Sequence, residues 1–259
     1  MTVADSSWFS VLPKGKTAAA LRLYCFPYAG AGHTVFQHWR ALLADEIELA
    51  LIKLPGRGAR FSEPHAESLD ELAQALAQSI AETTDGPEHF AFFGHSMGAL
   101  LAFETARALQ KRGLSPRALL VSARTAPVAH GWRERLSDLP DAAFLEVIRS
   151  MNGLPQEVLD NPEWLALFLP IIRADFALCE NYRYRSGLPL ACPIQVVAGR
   201  DDASVPLALL DGWAGETLAG CQSRLFAGGH FYLFEHEAEL LELMQHQLYP
   251  PRKHRHATV

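Results

Sequence analysis

The sequence predicts an α/β fold built on a mostly parallel sheet with helices on both faces. Short, nearly unbroken apolar runs alternate with segments of helical periodicity through the first half of the chain. Strands read that way when helices cover both sides of a parallel sheet. Size agrees, because 259 residues suffice to bury roughly 70–75% of the unfolded surface.

After a polar leader, Leu21 to Pro27 (LRLYCFP) is an apolar run stopped by the turn-rich YAGAGH, a buried strand feeding a glycine loop. A helix is expected near Val35 to Ala44, followed by a strand from Ile47 to Leu54 that ends at Pro55-Gly56. Leu69, Leu72, Leu76 and Ile80 then recur at helical spacing within Ser68 to Glu82. His89 to Phe93 reads as the third strand, Ala99 to Leu109 as a helix, and Ala118 to Ala123 as the fourth strand. From Thr125 to Pro193 no strand-like run occurs, and Phe144, Val147, Ile148 and Met151 keep helical spacing, so a helical insertion is expected there. Strands resume at Ile194 to Ala198 and Arg224 to Ala227, and a last helix runs from about Ala238 to Leu248. The expectation is one domain over residues 1–259, interrupted at about 125–193, with a frayed basic tail at 250–259. No internal repeat is found.

Composition narrows the function. With 49% hydrophobic and 20% charged residues the chain has the apolar surface that ordering requires. Its 23 Lys and Arg against 29 Asp and Glu give −6, the wrong sign for general nucleic-acid binding. The densest apolar stretch, Leu165 to Ile172, contains Pro170 and is far short of the ~20 residues that cross a bilayer. The N-terminus lacks an apolar secretion-signal core, so a cytoplasmic location is expected. Cys25, Cys179, Cys192 and Cys221, at separations of 154, 13 and 29, include no C-x-x-C pair and read as buried free thiols.

Three motifs carry chemistry. Gly94-His95-Ser96-Met97-Gly98 is a G-x-S-x-G between a strand and a helix, the sharp turn that lifts a serine hydroxyl above the sheet edge. Such a turn crowds the positions two before and two after the serine, and both are glycine. Gly199-Arg200-Asp201-Asp202 follows the strand IQVVA and offers a carboxylate to orient a histidine. Asp202 is the preferred carboxylate, with Asp201 as the alternative. Gly228-Gly229-His230-Phe231 supplies the base. His95 is a rival, but the residue beside the serine in such a turn points away from it. The order serine, aspartate, histidine is that of the α/β-hydrolases, and each residue falls at the C-terminal end of a predicted strand. The Met97 amide is the expected first oxyanion donor, and the loop Pro27-Tyr28-Ala29-Gly30 the second, through Ala29 or, next, Tyr28. No G-K-[ST] or G-x-G-x-x-G loop is present to cradle a nucleotide, and the remaining histidines form no metal-like pair.

On LYCFPYAGAG, LPGRGARFSEP, FFGHSMGALLAFE, NGLPQEVLDNPEWLALFLPIIRADFALCENYRY, CPIQVVAGRDD and FAGGHFYL, nearly the whole chain resembles a type II thioesterase, the stand-alone editing hydrolase of nonribosomal peptide and polyketide synthases. The resemblance implies an α/β-hydrolase fold with Ser96, Asp202 and His230 as triad. It implies substrates that are acyl groups on the phosphopantetheine arm of acyl- or peptidyl-carrier proteins. No metal or organic cofactor is implied, and a monomer is the default. The insertion is then expected to be a lid, with Trp164, Phe168, Phe176, Tyr182 and Tyr184 available to line an acyl pocket. Arg57, Arg60 and Arg173 are candidates to meet an acidic carrier or the pantetheine phosphate.

Overall fold

The computed structural model describes residues 6–12, 20–84, 89–129 and 135–249, so the predicted frayed tail at 250–259 lies outside the described residues. Strands β1 (Phe9–Leu12), β2 (Leu21–Phe26), β3 (Ile47–Ile52), β4 (Phe90–His95), β5 (Leu119–Ser122), β6 (Ile194–Gly199) and β7 (Cys221–Phe226) form one sheet in the order β1-β3-β2-β4-β5-β6-β7. β1 runs antiparallel to β3, and every other pairing is parallel. The α/β expectation holds.

Helices α1 (Trp39–Leu42), α2 (Leu69–Thr83), α3 (Met97–Gln110), α4 (Asp141–Ser150), α5 (Gln156–Leu159), α6 (Pro162–Asn181), α7 (Tyr232–Glu235) and α8 (Glu237–Leu248) accompany it. Alternate residues of each strand enter opposite cores. Tyr24, Phe26, Phe92 and Val121 pack beneath α2 and α3, whereas Leu23, Cys25, Phe93 and Leu120 meet Trp39 of α1 and Leu240 and Met244 of α8. The unbroken apolar strands of the sequence are the result of this double cover. α2 begins where expected because the Ser68 side chain accepts the Glu71 amide at 3.2 Å.

Two segments differ from expectation. The predicted helix at Val35 to Ala44 is a 3₁₀ turn, His33–Phe36, followed by the single turn α1. So short a segment gains little from helix propensity and is held by tertiary contacts, with the Trp39 indole donating to Glu237 at 2.7 Å. The leader contains β1, which sequence reasoning missed: four residues between polar neighbours, with only Phe9 and Val11 turned inward.

Between β5 and β6 the described residues carry α4, α5 and α6, and Phe144 and Ile148 of α4 pack on Leu169 and Ile172 of α6 as a small separate core. α6 is capped by Asn161, which accepts the Glu163 and Trp164 amides, and carries Pro162 in its first turn. Among the described residues no helix is long and apolar enough to cross a membrane.

Candidate active site

β3 and β4 leave β2 on opposite sides, so a crevice opens beyond the carboxyl ends of β2 and β4, where open α/β sheets take their ligands. The G-x-S-x-G turn stands at that crevice. Ser96 has φ 55° and ψ −115°, a conformation that non-glycine residues rarely adopt and that turns the strand sharply into α3. A Cβ on Gly94 would lie 2.2 Å from the Gly98 carbonyl oxygen, and one on Gly98 would lie 2.2 Å from that of Phe26. Both flanking positions are therefore glycine because backbone occupies the space.

A second close approach joins the other two motifs. A Cβ on Gly199 would lie 2.2 Å from the Gly229 oxygen, and the loops after β6 and β7 are linked by Asp201 N donating to the Gly228 oxygen at 3.0 Å and Gly228 N to Asp201 Oδ2 at 3.2 Å. Asp202 and His230 meet as a consequence. His230 Nδ1 is 2.6 Å from Asp202 Oδ2, and His230 Nε2 is 3.0 Å from Ser96 Oγ. Of the two aspartates, Asp202 faces the imidazole, while Asp201 is exposed and ties the loops together.

Ser204, which sequence reasoning missed, fixes the carboxylate. Its hydroxyl donates to Asp202 Oδ1 at 2.6 Å and its amide to the same oxygen at 2.9 Å, leaving Oδ2 to the imidazole. Burial pushes the Asp202 carboxyl up, but the hydrogen bond and charge of His230 and the two Ser204 donors outweigh it, so the group sits below its ordinary value. The D-x-S spacing of an Asx-type turn was the available signal. A proton on Nδ1, directed at Asp202, would leave Nε2 of the imidazole as the acceptor facing the Ser96 hydroxyl.

His95 is fully buried and faces away from this contact, with Nδ1 2.9 Å from Ser122 Oγ, itself 2.7 Å from the Tyr232 hydroxyl. Burial, and then the neighbouring His230, push its pKa well down, so it stays neutral. Among the described residues no three His, Cys, Asp or Glu side chains could hold a metal ion together.

Ser96 and His230 open into a cavity of about 290 Å³. Tyr28 and Ala29 form one wall, Ile148, Met151, Ile172 and Phe176 of the helical segment another, and Val205 and Leu209 a third. Of the five aromatics considered for it, only Phe176 lines the cavity. Trp164 is exposed, Phe168 packs in the α4–α6 core, Tyr182 donates to Glu104 at 2.6 Å, and Tyr184 rests on the main core. The three candidate arginines are internally engaged. Arg57 forms a buried two-pronged pair with Asp175, Arg60 binds Glu63 and stacks on Trp8, and Arg173 donates to the Ser137 and Leu139 carbonyls and to Asp141.

A model of the thioesterase domain matches residues 21–248. The chain belongs to the thioesterase family. This thioesterase is 38% identical over 244 residues to the gramicidin S biosynthesis protein GrsT of Aneurinibacillus migulanus, covering 94% of each chain. Its fold superposes on the type II thioesterase BorB of the borrelidin biosynthetic cluster with a TM-score of 0.87 at 36% identity, covering 96% of this chain and all of that one. It is likewise similar to ClbQ of the colibactin NRPS/PKS pathway, with a TM-score of 0.83, 30% identity, and 89% and 97% of the two chains covered. The thioesterase therefore has the α/β-hydrolase architecture of the type II enzymes, and its chemistry is hydrolysis of thioesters.

Proposed function

We propose that this thioesterase is a type II editing enzyme that hydrolyses stalled or aberrant acyl groups from the phosphopantetheine arm of carrier proteins in nonribosomal peptide or polyketide synthesis. The observation that carries the reading is the continuous path from Asp202 through His230 to Ser96 at the mouth of a mainly apolar cavity. His230 Nε2 takes the hydroxyl proton as Ser96 Oγ bonds to the thioester carbonyl carbon, and Asp202 stabilises the imidazolium. The tetrahedral intermediate collapses, the C–S bond breaks, and the pantetheine sulfur leaves with the proton from His230. Water, deprotonated by the same nitrogen, then attacks the acyl-enzyme and releases a free acid.

The amides of Met97, at the start of α3, and Ala29 are the proposed oxyanion donors. Gly30 N–H is committed to Asp175 at 2.7 Å, which favours Ala29 over it as the second donor. The helical segment between β5 and β6 serves as the lid, and the enzyme works as a cytoplasmic monomer that meets carrier domains at the cavity mouth.

Ser96→Ala, with an unchanged fold, should lose thioester hydrolysis by several orders of magnitude and all labelling by a fluorophosphonate. Near-normal turnover would refute Ser96 as nucleophile. Faster hydrolysis of soluble aryl esters than of acyl-carrier thioesters would refute the substrate class.

A further inference from the structure

The loop that carries Ala29 is gripped from outside the crevice. Tyr28 to Ala31 is a β-turn closed by Ala31 N donating to the Tyr28 oxygen at 3.0 Å, and Gly30 has φ +81°. A positive φ at the third position alone defines a type II turn. Asp175, on α6, reaches this turn. Its Oδ2 accepts Gly30 N at 2.7 Å and Arg57 Nη1 at 2.5 Å, while its Oδ1 accepts Arg57 Nη2 at 2.6 Å. Arg57 Nη1 also lies 3.4 Å from the Ala31 oxygen. One turn earlier on α6, Ile172 fills the space over Gly30, where a Cβ would come within 2.5 Å of its Cγ1. Both members of the ion pair are buried, at 7% and 5% side-chain exposure.

A buried ion pair seldom stabilises a fold more than apolar residues of the same size would, so stability is a weak account of this one. Its geometry is specific instead. Type I and type II turns differ by a flip of the central peptide, here Ala29–Gly30. With Gly30 N–H directed at Asp175, a flip would turn the Ala29 carbonyl toward a carboxylate.

We propose that Arg57 and Asp175 are positioning residues: by holding the Gly30 amide and the Ala31 oxygen they anchor the whole Tyr28–Ala31 turn, and with it the preceding Tyr28–Ala29 peptide, whose N–H is aimed at the oxyanion. This couples α6 to the chemistry, and it rests on the acyl-enzyme reading above. Oxyanion donors act mainly in the transition state, so loosening the turn lowers kcat while leaving substrate binding in place.

The deciding variant is Arg57→Met with Asp175→Leu, which removes the grip on Gly30 without stranding a buried charge. The expected result is a folded protein whose kcat for an acyl-pantetheine thioester falls by about 10- to 100-fold, the cost of a misplacement of about 1 Å, with KM within threefold of wild type. Arg57→Met with Asp175→Asn keeps an acceptor for Gly30 N, again without stranding a charge, and should recover most of that loss. A wild-type kcat in the deciding variant, or a loss confined to KM, overturns the proposal. A measurement on the wild-type protein covers the case in which the deciding variant does not fold. The Gly30 amide should be protected from hydrogen exchange and open together with the α6 amides, and rapid, independent exchange overturns the proposal as well. Ser96→Ala in the same assay separates the two readings: activity surviving in it defeats the acyl-enzyme itself, whereas its loss leaves the result for the turn to stand alone.

Discussion

Gly98→Ala probes one of the three closest backbone approaches at the site. The new Cβ would lie 2.2 Å from the Phe26 oxygen, 2.7 Å from its carbonyl carbon and 2.7 Å from the Pro27 oxygen. All three are backbone atoms of β2 and the loop beyond it, so no side chain can rotate away. Restoring van der Waals contact requires α3 and β2 to part by about 1 Å, and overpacking of this kind costs about 3 kcal/mol at the upper end. For a chain of this size each kcal/mol lowers Tm by roughly 2–4 °C, so a drop of roughly 6–12 °C is expected. The same displacement separates the first turn of α3, which carries the Met97 amide, from the loop that carries Ala29. A misalignment of about 1 Å between groups that act together costs on the order of 10²-fold in rate. Thermal melting monitored by circular dichroism, with steady-state hydrolysis of an acyl-pantetheine thioester, reads both effects. Unchanged Tm and kcat in Gly98→Ala would show that the turn is not packed as described and that Gly98 does not set the distance between the two proposed donors.

Asp202→Asn leaves an oxygen for the Ser204 donors but presents an N–H to His230 Nδ1, reversing the tautomer, and kcat should fall by about 10⁴-fold with little change in melting temperature. Full activity in that variant, with loss in Asp201→Asn instead, would exchange the roles of the two aspartates. Ser204→Ala removes the hydrogen bond to the Asp202 carboxylate, about 1.5 kcal/mol, together with a 3.2 Å contact to His230 Nδ1, and should lower kcat by roughly tenfold. It should also move acid unfolding to higher pH. The Asp202 carboxyl is held below its ordinary value in the folded chain, so it contributes stability that is complete above the unfolded value near 4 and is lost as the pH falls through the folded one. Without Ser204 the folded value rises and the loss begins earlier. A pH titration of circular dichroism tests the direction, and an unshifted acid midpoint counts against Ser204 as the residue that holds the carboxylate.

Most of the site was legible in the sequence because its chemistry is local. Gly94 and Gly98 bracket Ser96, Asp202 sits just beyond an apolar strand, and His230 follows two glycines, so each motif announces its own turn. What the sequence left open was which aspartate turns inward, since that depends on how two loops far apart in the chain lie against each other across Gly199. Arg57 and Asp175 were hidden for a similar reason. A signal for Asp175 existed nonetheless: it shares one helical face with Ile171, Ile172, Leu178 and Cys179, and a lone carboxylate on a buried stripe needs a cation. β1 escaped notice because a four-residue edge strand shows too little alternation to stand out from its polar surroundings.

The backbone at Ser96 has one more implication. A non-glycine residue held at φ 55° and ψ −115° costs on the order of 1–3 kcal/mol whether or not a substrate is bound. Glycine at that position would relieve the torsion, so Ser96→Gly should melt at a higher temperature than the parent chain while being inert toward any thioester. Selection for robustness alone would erode this corner of the molecule first, and the proposed mechanism gives the reason that the tension in one pair of dihedral angles persists: the hydroxyl it displays is the nucleophile.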